Sequence, residues 1–125
     1  MSGIFENINE KKNEINEILT NEKYKENTIL SYWFSIKRIS KLLNNDYNID
    51  DINLYDDLIN VINSIDKMTS RKTTFNNMIK IFQTYNLIIN NETLNKLIKK
   101  LLIAFNKFAK KLMIIEYLKH QHKKN

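Results

Sequence analysis

The sequence predicts an all-α protein, a small bundle of four to five helices that ends in a long C-terminal amphipathic helix. The chain has one glycine, at position 3, and no proline among its 125 residues. Tight hairpins between strands usually need glycine, so a sheet protein is disfavoured. The helices must instead be separated by Asn-, Asp- and Ser-rich clusters, whose side chains compete for backbone hydrogen bonds and cap helices. Such clusters lie at residues 44–51, 64–70 and 86–91.

Length and composition indicate one intracellular unit. A chain of 125 residues can bury a core without cross-links. It has no cysteine, which excludes disulfides, a thiolate nucleophile and a cysteine metal site, and which fits a reducing compartment. The N-terminus lacks an apolar signal-type stretch, and no apolar run reaches the length of a membrane span. We therefore expect a soluble, intracellular protein.

Apolar spacing divides the first 66 residues into three helical segments. In the first, Ile4, Ile8, Ile15 and Ile18 or Leu19 form a thin stripe, which predicts a loosely docked N-terminal helical arm over residues 1–25. Asn27 or Thr28 is expected to cap the second helix, and Asp50 and Asp51 to start a short third one. The expected inward residues of these two helices are Ile29, Tyr32, Trp33, Ile36, Ile39 and Leu43, then Tyr55, Leu58, Ile59, Ile62 and Ile65.

The next helix completes a compact region over residues 26–90. Ser70 is its predicted N-cap, and the helix is expected to run from Arg71 to about Tyr85. Its expected core residues are Phe75, Met78, Ile79 and Phe82.

The last helix, in residues 91–125, is predicted to have an apolar and a cationic side. Asn90 or Asn91 should cap it, with Glu92 near its N-terminal dipole, and it should run to Lys119 or His120. Apolar residues alternate spacings of four and three, which is a heptad seam. The seam residues are Leu94, Ile98, Leu101, Phe105, Phe108, Leu112 and Ile115. The opposite face has Lys96, Lys99, Lys100, Lys107 and Lys110.

The length of this helix favours self-association. About 28 helical residues span roughly 42 Å, which exceeds the width of so small a domain. The segment from Phe105 to Leu118 should therefore overhang and need a cover, either a partner chain in a dimer or larger homo-oligomer, or the first helix of the same chain. The candidate oligomerisation residues are Ile98, Leu101, Phe105, Phe108, Leu112 and Ile115.

Charge is distributed unevenly along the chain. Residues 67–125 hold 13 Lys and Arg against Glu92 and Glu116, a balance of 13 − 2 = +11, whereas residues 1–66 hold 7 basic and 12 acidic groups, 7 − 12 = −5. A basic block on helices is typical of a surface for a polyanion such as nucleic acid. Two other interpretations stay open: solvated lysine faces, or an amphipathic helix over residues 94–118 on an anionic membrane.

Two segments together resemble a known family. They are ENTILSYWFSIKRISKLL (26–43), with Thr28 and the inward Tyr32, and TSRKTTFNNMIKIFQTY (69–85), which opens on Ser70-Arg71-Lys72-Thr73. Their order and separation resemble the N-terminal core-binding (SAM-like) domain of phage-integrase-type tyrosine recombinases. The chain looks closer still to short standalone forms of that domain in large DNA viruses, which share its Asn/Ile/Lys bias. The resemblance covers about residues 26–86.

The resemblance implies double-stranded DNA as the partner. In the family this domain is one half of a clamp around the duplex, so the helix opening at Ser70 would direct backbone N–H groups and Arg71 or Lys72 at phosphates. A Ser N-cap with two solvated cations is the alternative. The candidate nucleic-acid contacts are Lys37, Arg38, Lys41, Ser70, Arg71, Lys72, Thr73, Lys80, Lys99, Lys100, Lys107 and Lys110. If the source is a virus, the protein is expected in the host cytoplasm or nucleus, or in the virion.

Catalysis is not expected. Recombinase chemistry needs two arginines, a histidine or lysine and a tyrosine nucleophile in a further domain that is longer than the segment after Tyr85. The arginines of this chain, Arg38 and Arg71, both lie before that segment. Helix capping explains the Asp50/Asp51 and Asp56/Asp57 pairs, because adjacent residues point to different faces. His120 and His122 lie in a lysine-rich tail that disfavours a metal. One glycine precludes a phosphate loop, so neither cofactor nor small-molecule substrate is expected.

These observations predict a non-catalytic DNA-binding protein that contacts duplex phosphates without sequence preference and self-associates through its last helix, as genome-organising or packaging proteins do. The alternative function is a structural or adaptor protein that assembles through the same helix without nucleic acid.

Overall fold

The fold is all-α, as predicted. The computed structural model describes residues 3–123, with side chains through residue 121, and every regular element in that range is an α-helix. The helices are α1 (Ile4–Glu10), α2 (Lys12–Asn21), α3 (Glu26–Leu43), α4 (Leu54–Asn63), α5 (Met68–Ile89) and α6 (Glu92–Lys123). The bundle therefore has six helices in the described range rather than four to five, because the N-terminal segment forms two. The long C-terminal helix is confirmed.

Helix α5 lies at the centre of the bundle. It packs against α2, α3, α4 and α6. Its expected core residues are all buried, and Met78 and Phe82 have no exposed surface. The inward face predicted for α3 is also buried over Ile29, Tyr32, Trp33, Ile36 and Ile39, with Leu43 packed at its edge. The apolar periodicity of these two helices thus predicted which of their faces forms the core.

The N-terminal helices are integral to the core, so the expected loose docking is wrong. Ile4, Ile8, Ile15 and Leu19 have no exposed surface. The ring of Phe5 packs against Phe82 of α5, with centroids 6.0 Å apart. A break at Lys11 separates α1 from α2 and lets both halves of the apolar stripe reach the bundle. The apolar stripe is thin, but its residues are completely buried, and this is sufficient to dock both helices on the bundle.

The start of α1 explains the single glycine. The Asp46 carboxylate accepts hydrogen bonds from the backbone amides of Phe5 and Glu6, at 2.9 and 3.0 Å, and so caps the helix from a distant loop. A Cβ at Gly3 would lie 2.2 Å from Asp46 Cγ and 2.5 Å from the Asp46 carbonyl oxygen. Position 3 therefore needs glycine because the capping loop approaches it closely.

Asparagines end two helices and start a third, as the sequence predicts, but the expected Asn27 or Thr28 cap of α3 is wrong, since α3 begins at Glu26 with Lys25 as N-cap. Asn44 and Asn90 follow α3 and α5 in the left-handed conformation, with φ of 54° and 48°. Asparagine tolerates this region better than other non-glycine residues. Asn91 then caps α6, because its side-chain oxygen accepts the Leu94 amide at 2.9 Å.

Helix α5 differs at both ends from the prediction. It begins at Met68, with Lys67 as N-cap, so Ser70 lies inside the first turn and is not the cap. At the other end the helix continues past Tyr85 to Ile89. The division of the chain at residues 25 and 90 falls in connections between helices, and its assignment as three functional parts stays a prediction.

Candidate polyanion-binding surface

The most strongly charged surface is the outer face of α6. Six lysines there are exposed: Lys96, Lys99, Lys100, Lys107, Lys110 and Lys111. The opposite face is buried, with Leu94 and Leu101 having no exposed surface. No acidic residue lies between Glu92 and Glu116. Among the described residues the two ion pairs lie on other helices, so the charge of this face is not neutralised within the chain.

One of these lysines also contacts α4. The Lys100 Nζ lies 4.6 Å from the centroid of the Tyr55 ring, a cation–π contact that leaves the side chain exposed. Lys99 lies on another flank, where it lines a groove with Lys80 and Glu22. The cationic face is thus broad and extends toward both neighbouring surfaces of the bundle.

The second predicted site, at the start of α5, is rearranged. The Arg71 guanidinium donates hydrogen bonds to the Ile65 carbonyl oxygen from Nη2 at 2.6 Å and from Nε at 3.0 Å. This contact ties the first turn of α5 to the connection between α4 and α5 and engages two of the three donor nitrogens of Arg71. Lys72 and Thr73 are exposed, and Ser70 is half-buried.

Lys80 is held by its neighbours. Its Nζ lies 3.1 Å from Glu22 Oε2 and 4.8 Å above the Tyr24 ring. Burial by itself would lower the pKa of Lys80, but hydrogen bonds to Tyr24 and Glu22 raise that pKa above its ordinary value. The lysine therefore stays charged, yet a neighbouring carboxylate balances it. We infer that Lys80 connects α2 to α5 more than it attracts a polyanion.

The three basic residues of α3 lie on two different surfaces of the bundle. Lys37 and Lys41 are exposed and line a groove toward α1 with Leu30 and Phe34. Arg38, half-buried, points to the other side and lines a cleft against the start of α5, together with Ser70 and Thr73. The fold therefore brings Arg38 together with the predicted α5 residues and separates it from its two lysine neighbours.

The apolar seam of α6 is mostly covered within the chain. Ile98 and Leu101, predicted to mediate oligomerisation, are 5% and 0% exposed and belong to the core, so that prediction is wrong for them. Phe105 packs edge-on against Phe75 of α5 with centroids 5.4 Å apart, and Phe108 and Leu112 are half-buried. Helices α5 and α4 provide this cover, not the first helix.

The free part of α6 therefore starts later than expected. It begins near Met113 instead of Phe105, because α5 runs alongside as far as Thr69, which shares a groove with Leu112 and Tyr117. Ile115 is 40% exposed, and it is joined by further large apolar residues that the seam did not predict. These exposed residues are Met113, Ile114, Tyr117 and Leu118. At 3.6 residues per turn these residues cover more than half of the helix circumference, and Glu116, Lys119 and His120 lie on the remaining side.

Sequence reasoning missed three residues of interest. Lys111 belongs to the cationic face, and its exposed position could have been found from the spacing to Lys107. Ser31 and Thr74 line the Arg38 cleft. The sequence signal for these two residues is a four-residue spacing of hydroxyl side chains, Ser31 to Ser35 on α3 and Ser70 to Thr74 on α5. This spacing places the hydroxyl groups along one side of each helix.

The described residues offer no metal centre, since no group of three or more His, Cys, Asp or Glu side chains within them could hold an ion. His120 is exposed beside Lys72, and the side chain of His122 lies outside the described part of the structure. None of the helices over residues 3–123 combines the length and apolar character needed to cross a bilayer. No family model, curated protein or solved structure matches the chain.

Proposed function

We propose that the protein is a non-catalytic nucleic-acid-binding protein that contacts the phosphates of duplex DNA through α6. The observation that supports this most is the outer face of α6, where six exposed lysines lie between two distant acidic residues. From Lys96 to Lys111 the helix rises roughly 23 Å. One DNA strand presents a phosphate about every 3.4 Å, so this face matches the length of about seven phosphates.

The kind of cation favours binding without sequence preference. Base recognition in the major groove relies largely on the bidentate fork of arginine, whereas a lysine acts as a flexible point charge toward phosphate. The chain has two arginines, and one of them, Arg71, donates to a backbone carbonyl. Binding should therefore depend on phosphate charge and hardly on base sequence.

The free end of α6 supports a second part of the proposal, self-association. Four large apolar side chains between Met113 and Leu118 are 58–70% exposed, as is usual for residues that a partner covers. Two or more copies would place several lysine faces on one duplex, which raises the avidity of individually weak sites. Genome organisation or packaging is the role that such a combination fits.

Charge reversal on α6 tests the proposal. The variant changes Lys99, Lys100, Lys107 and Lys110 to Glu. It should abolish the mobility shift of a duplex DNA fragment, because attraction to the phosphates becomes repulsion. The mass measured by light scattering should not change.

A matched control distinguishes the effect of the α6 lysine face on DNA affinity from the effect of the net charge. It reverses four basic residues of the acidic half, Lys11, Lys12, Lys23 and Lys25, and so changes the net charge equally. This control should keep most of the DNA affinity. Equal loss in both variants would show that only the overall charge matters, and the assignment to α6 would be abandoned.

An alternative function is a structural or adaptor protein that assembles through the end of α6 without nucleic acid, with lysines that serve solubility. The same exposed apolar residues favour it. Under this alternative, the charge-reversed variant behaves like the native protein in every assembly assay and neither protein binds DNA.

We also retain the core-binding-like relationship as a proposal. The succession of a long, a short and a long helix in α3, α4 and α5 supports it. An experimental structure with bound duplex should then place α3 and α5 against the DNA; a duplex that contacts α6 alone would argue against the relationship.

A further inference from the structure

A small cleft between α3 and the start of α5 has an unusual lining. Its volume is about 270 Å³, room for roughly nine waters. Arg38 lines it together with hydroxyl side chains from both helices, and Phe34 forms an apolar edge. The hydroxyls are those of Ser31, Ser35, Thr69, Ser70, Thr73 and Thr74. No carboxylate is among the lining residues.

Thr74 lines the cleft with a hydroxyl group that no described protein group engages. The residue is only 4% exposed, and its hydroxyl has no hydrogen-bond partner among the described residues. No described side-chain oxygen or nitrogen is both sealed from solvent and unpaired. The Thr74 hydroxyl is therefore accessible, and the residue lines the cleft. It is available to hydrogen-bond with water or with a ligand there.

Two further sets of donors belong to residues that line the cleft. Arg38 has five N–H donors and makes no hydrogen bond or ion pair within the described residues. The first turn of α5 has no side-chain cap and no acidic residue, so its leading amides are available at the positive end of the helix dipole. The lining is held in place from behind, because Asn77 Nδ2 donates to Ser35 Oγ at 2.9 Å.

We propose that this cleft binds a phosphoryl group, as inorganic phosphate or as the terminal phosphate of a nucleic acid. A guanidinium, free helix amides and several hydroxyls all donate, and a tetrahedral oxyanion accepts from many directions at once. The absence of a carboxylate removes the repulsion that would exclude a dianion. The site stands apart from the lysine face of α6, and it can bind an isolated phosphate even if that face binds no DNA.

Titration of the ¹⁵N-labelled protein with inorganic phosphate, at constant ionic strength in chloride, tests the inference by NMR. The backbone amides of Thr69 and Ser70 and the Arg38 Nε–H should shift and saturate together. Arg38→Gln should weaken the affinity by about tenfold or more, because a charged donor is lost. Thr74→Val, which preserves side-chain shape, should weaken it by about fivefold, and Thr74→Ser should restore it.

Lys41→Gln is the matched control, because it removes one positive charge from the same helix outside this cleft. Its affinity for phosphate should stay within about twofold of the native value. The inference is overturned if phosphate leaves the Thr69 and Ser70 amides unshifted, or if Arg38→Gln and Lys41→Gln lose affinity equally. The spectra themselves report whether each variant is folded.

A second arm identifies the source of the phosphate. A short DNA hairpin with a 5′-phosphate is compared with the same hairpin ending in a 5′-hydroxyl, using the α6 charge-reversed protein to suppress backbone binding. Shifts of the same amides with the phosphorylated end alone assign the cleft to nucleic-acid termini. Shifts with inorganic phosphate alone assign it to a free anion. Both results support a phosphate site in the cleft. Because the experiment uses the α6 charge-reversed protein, its outcome does not depend on whether α6 binds DNA.

Discussion

Arg71 lies in the first turn of α5, where its guanidinium donates from Nε and Nη2 to the Ile65 carbonyl oxygen. Its place at the start of a helix, beside Lys72, predicted a phosphate contact. In the structure two of its three donor nitrogens serve the Ile65 carbonyl, and the phosphate contact stays a prediction. The sequence could not indicate this, because the connection between α4 and α5 must fold before that carbonyl lies near the guanidinium. The ion pair of Lys80 with Glu22 could not be predicted for the same reason, since Glu22 lies far away in the chain.

Arg71→Gln should destabilise the protein without weakening DNA binding. The Ile65 carbonyl loses charged donors, so the free energy of unfolding should fall by about 1–3 kcal/mol in urea denaturation. Lys72→Gln, one residue away and exposed, should change it by less than about 0.5 kcal/mol. If Arg71→Gln instead retained full stability and lost DNA affinity, the carbonyl contact would not be the main role of this side chain.

At the scale of elements, periodicity predicted the buried faces of α3 and α5, and the capping asparagines, Asn90 or Asn91, predicted where α6 begins. Periodicity did not predict the exposure of an apolar face where that exposure depends on which neighbouring helix covers the face. Ile98 and Leu101 have the same heptad spacing as Ile115, but only the first two lie opposite α5 deeply enough to be buried. The N-terminal segment has a weak apolar stripe and is nevertheless packed against the bundle. Helices α3 and α5 provide the apolar surface that covers it, and this surface forms only when the chain folds.

Two leucines of α6 distinguish its covered part from its free part. Leu101 is 0% exposed, so Leu101→Ala should cost about 2–5 kcal/mol of unfolding free energy. Leu118 is 59% exposed, so Leu118→Ala should cost less than about 0.5 kcal/mol in dilute protein and should reduce self-association. Denaturant titration and light scattering measure the two effects. Similar stability losses in both variants would mean that the end of α6 is packed within the monomer.

At the scale of the whole molecule, the uneven charge of the sequence predicted a basic half but not its geometry. The fold distributes the predicted contacts among the α6 face, the α3/α5 cleft, the groove toward α1 and the Glu22 ion pair. Only the first two place cations, exposed on α6 and half-buried in the cleft, without a carboxylate paired to them among the described residues. Counting charges along a chain cannot reveal this, because neutralisation depends on residues that are distant in sequence and close in space.

The folded molecule should also lose stability at high pH. Burial raises the pKa of Tyr85, with a contribution from Glu10, and burial also raises the pKa of Tyr32. The native state thus holds these protons longer than the unfolded chain does. The stabilising contribution of these two tyrosines is fully present below the unfolded tyrosine pKa of about 10. It is lost as the pH rises through their folded-state pKa values.

Urea denaturation at pH 9 and pH 11 measures this loss. Tyr85→Phe should reduce the difference between the two pH values, because one shifted group no longer titrates. Equal stability of the native protein at both pH values would contradict the expectation.

The salt dependence of duplex DNA binding tests the central claim most directly. If α6 presents its six exposed lysines to phosphates, the logarithm of the binding constant should fall linearly with the logarithm of salt concentration, with a slope approaching about −5. Fluorescence anisotropy with a short duplex at 50–300 mM NaCl, roughly the range over which such slopes are resolved, provides the measurement. A slope near zero, or no binding at the lowest salt, would contradict the account.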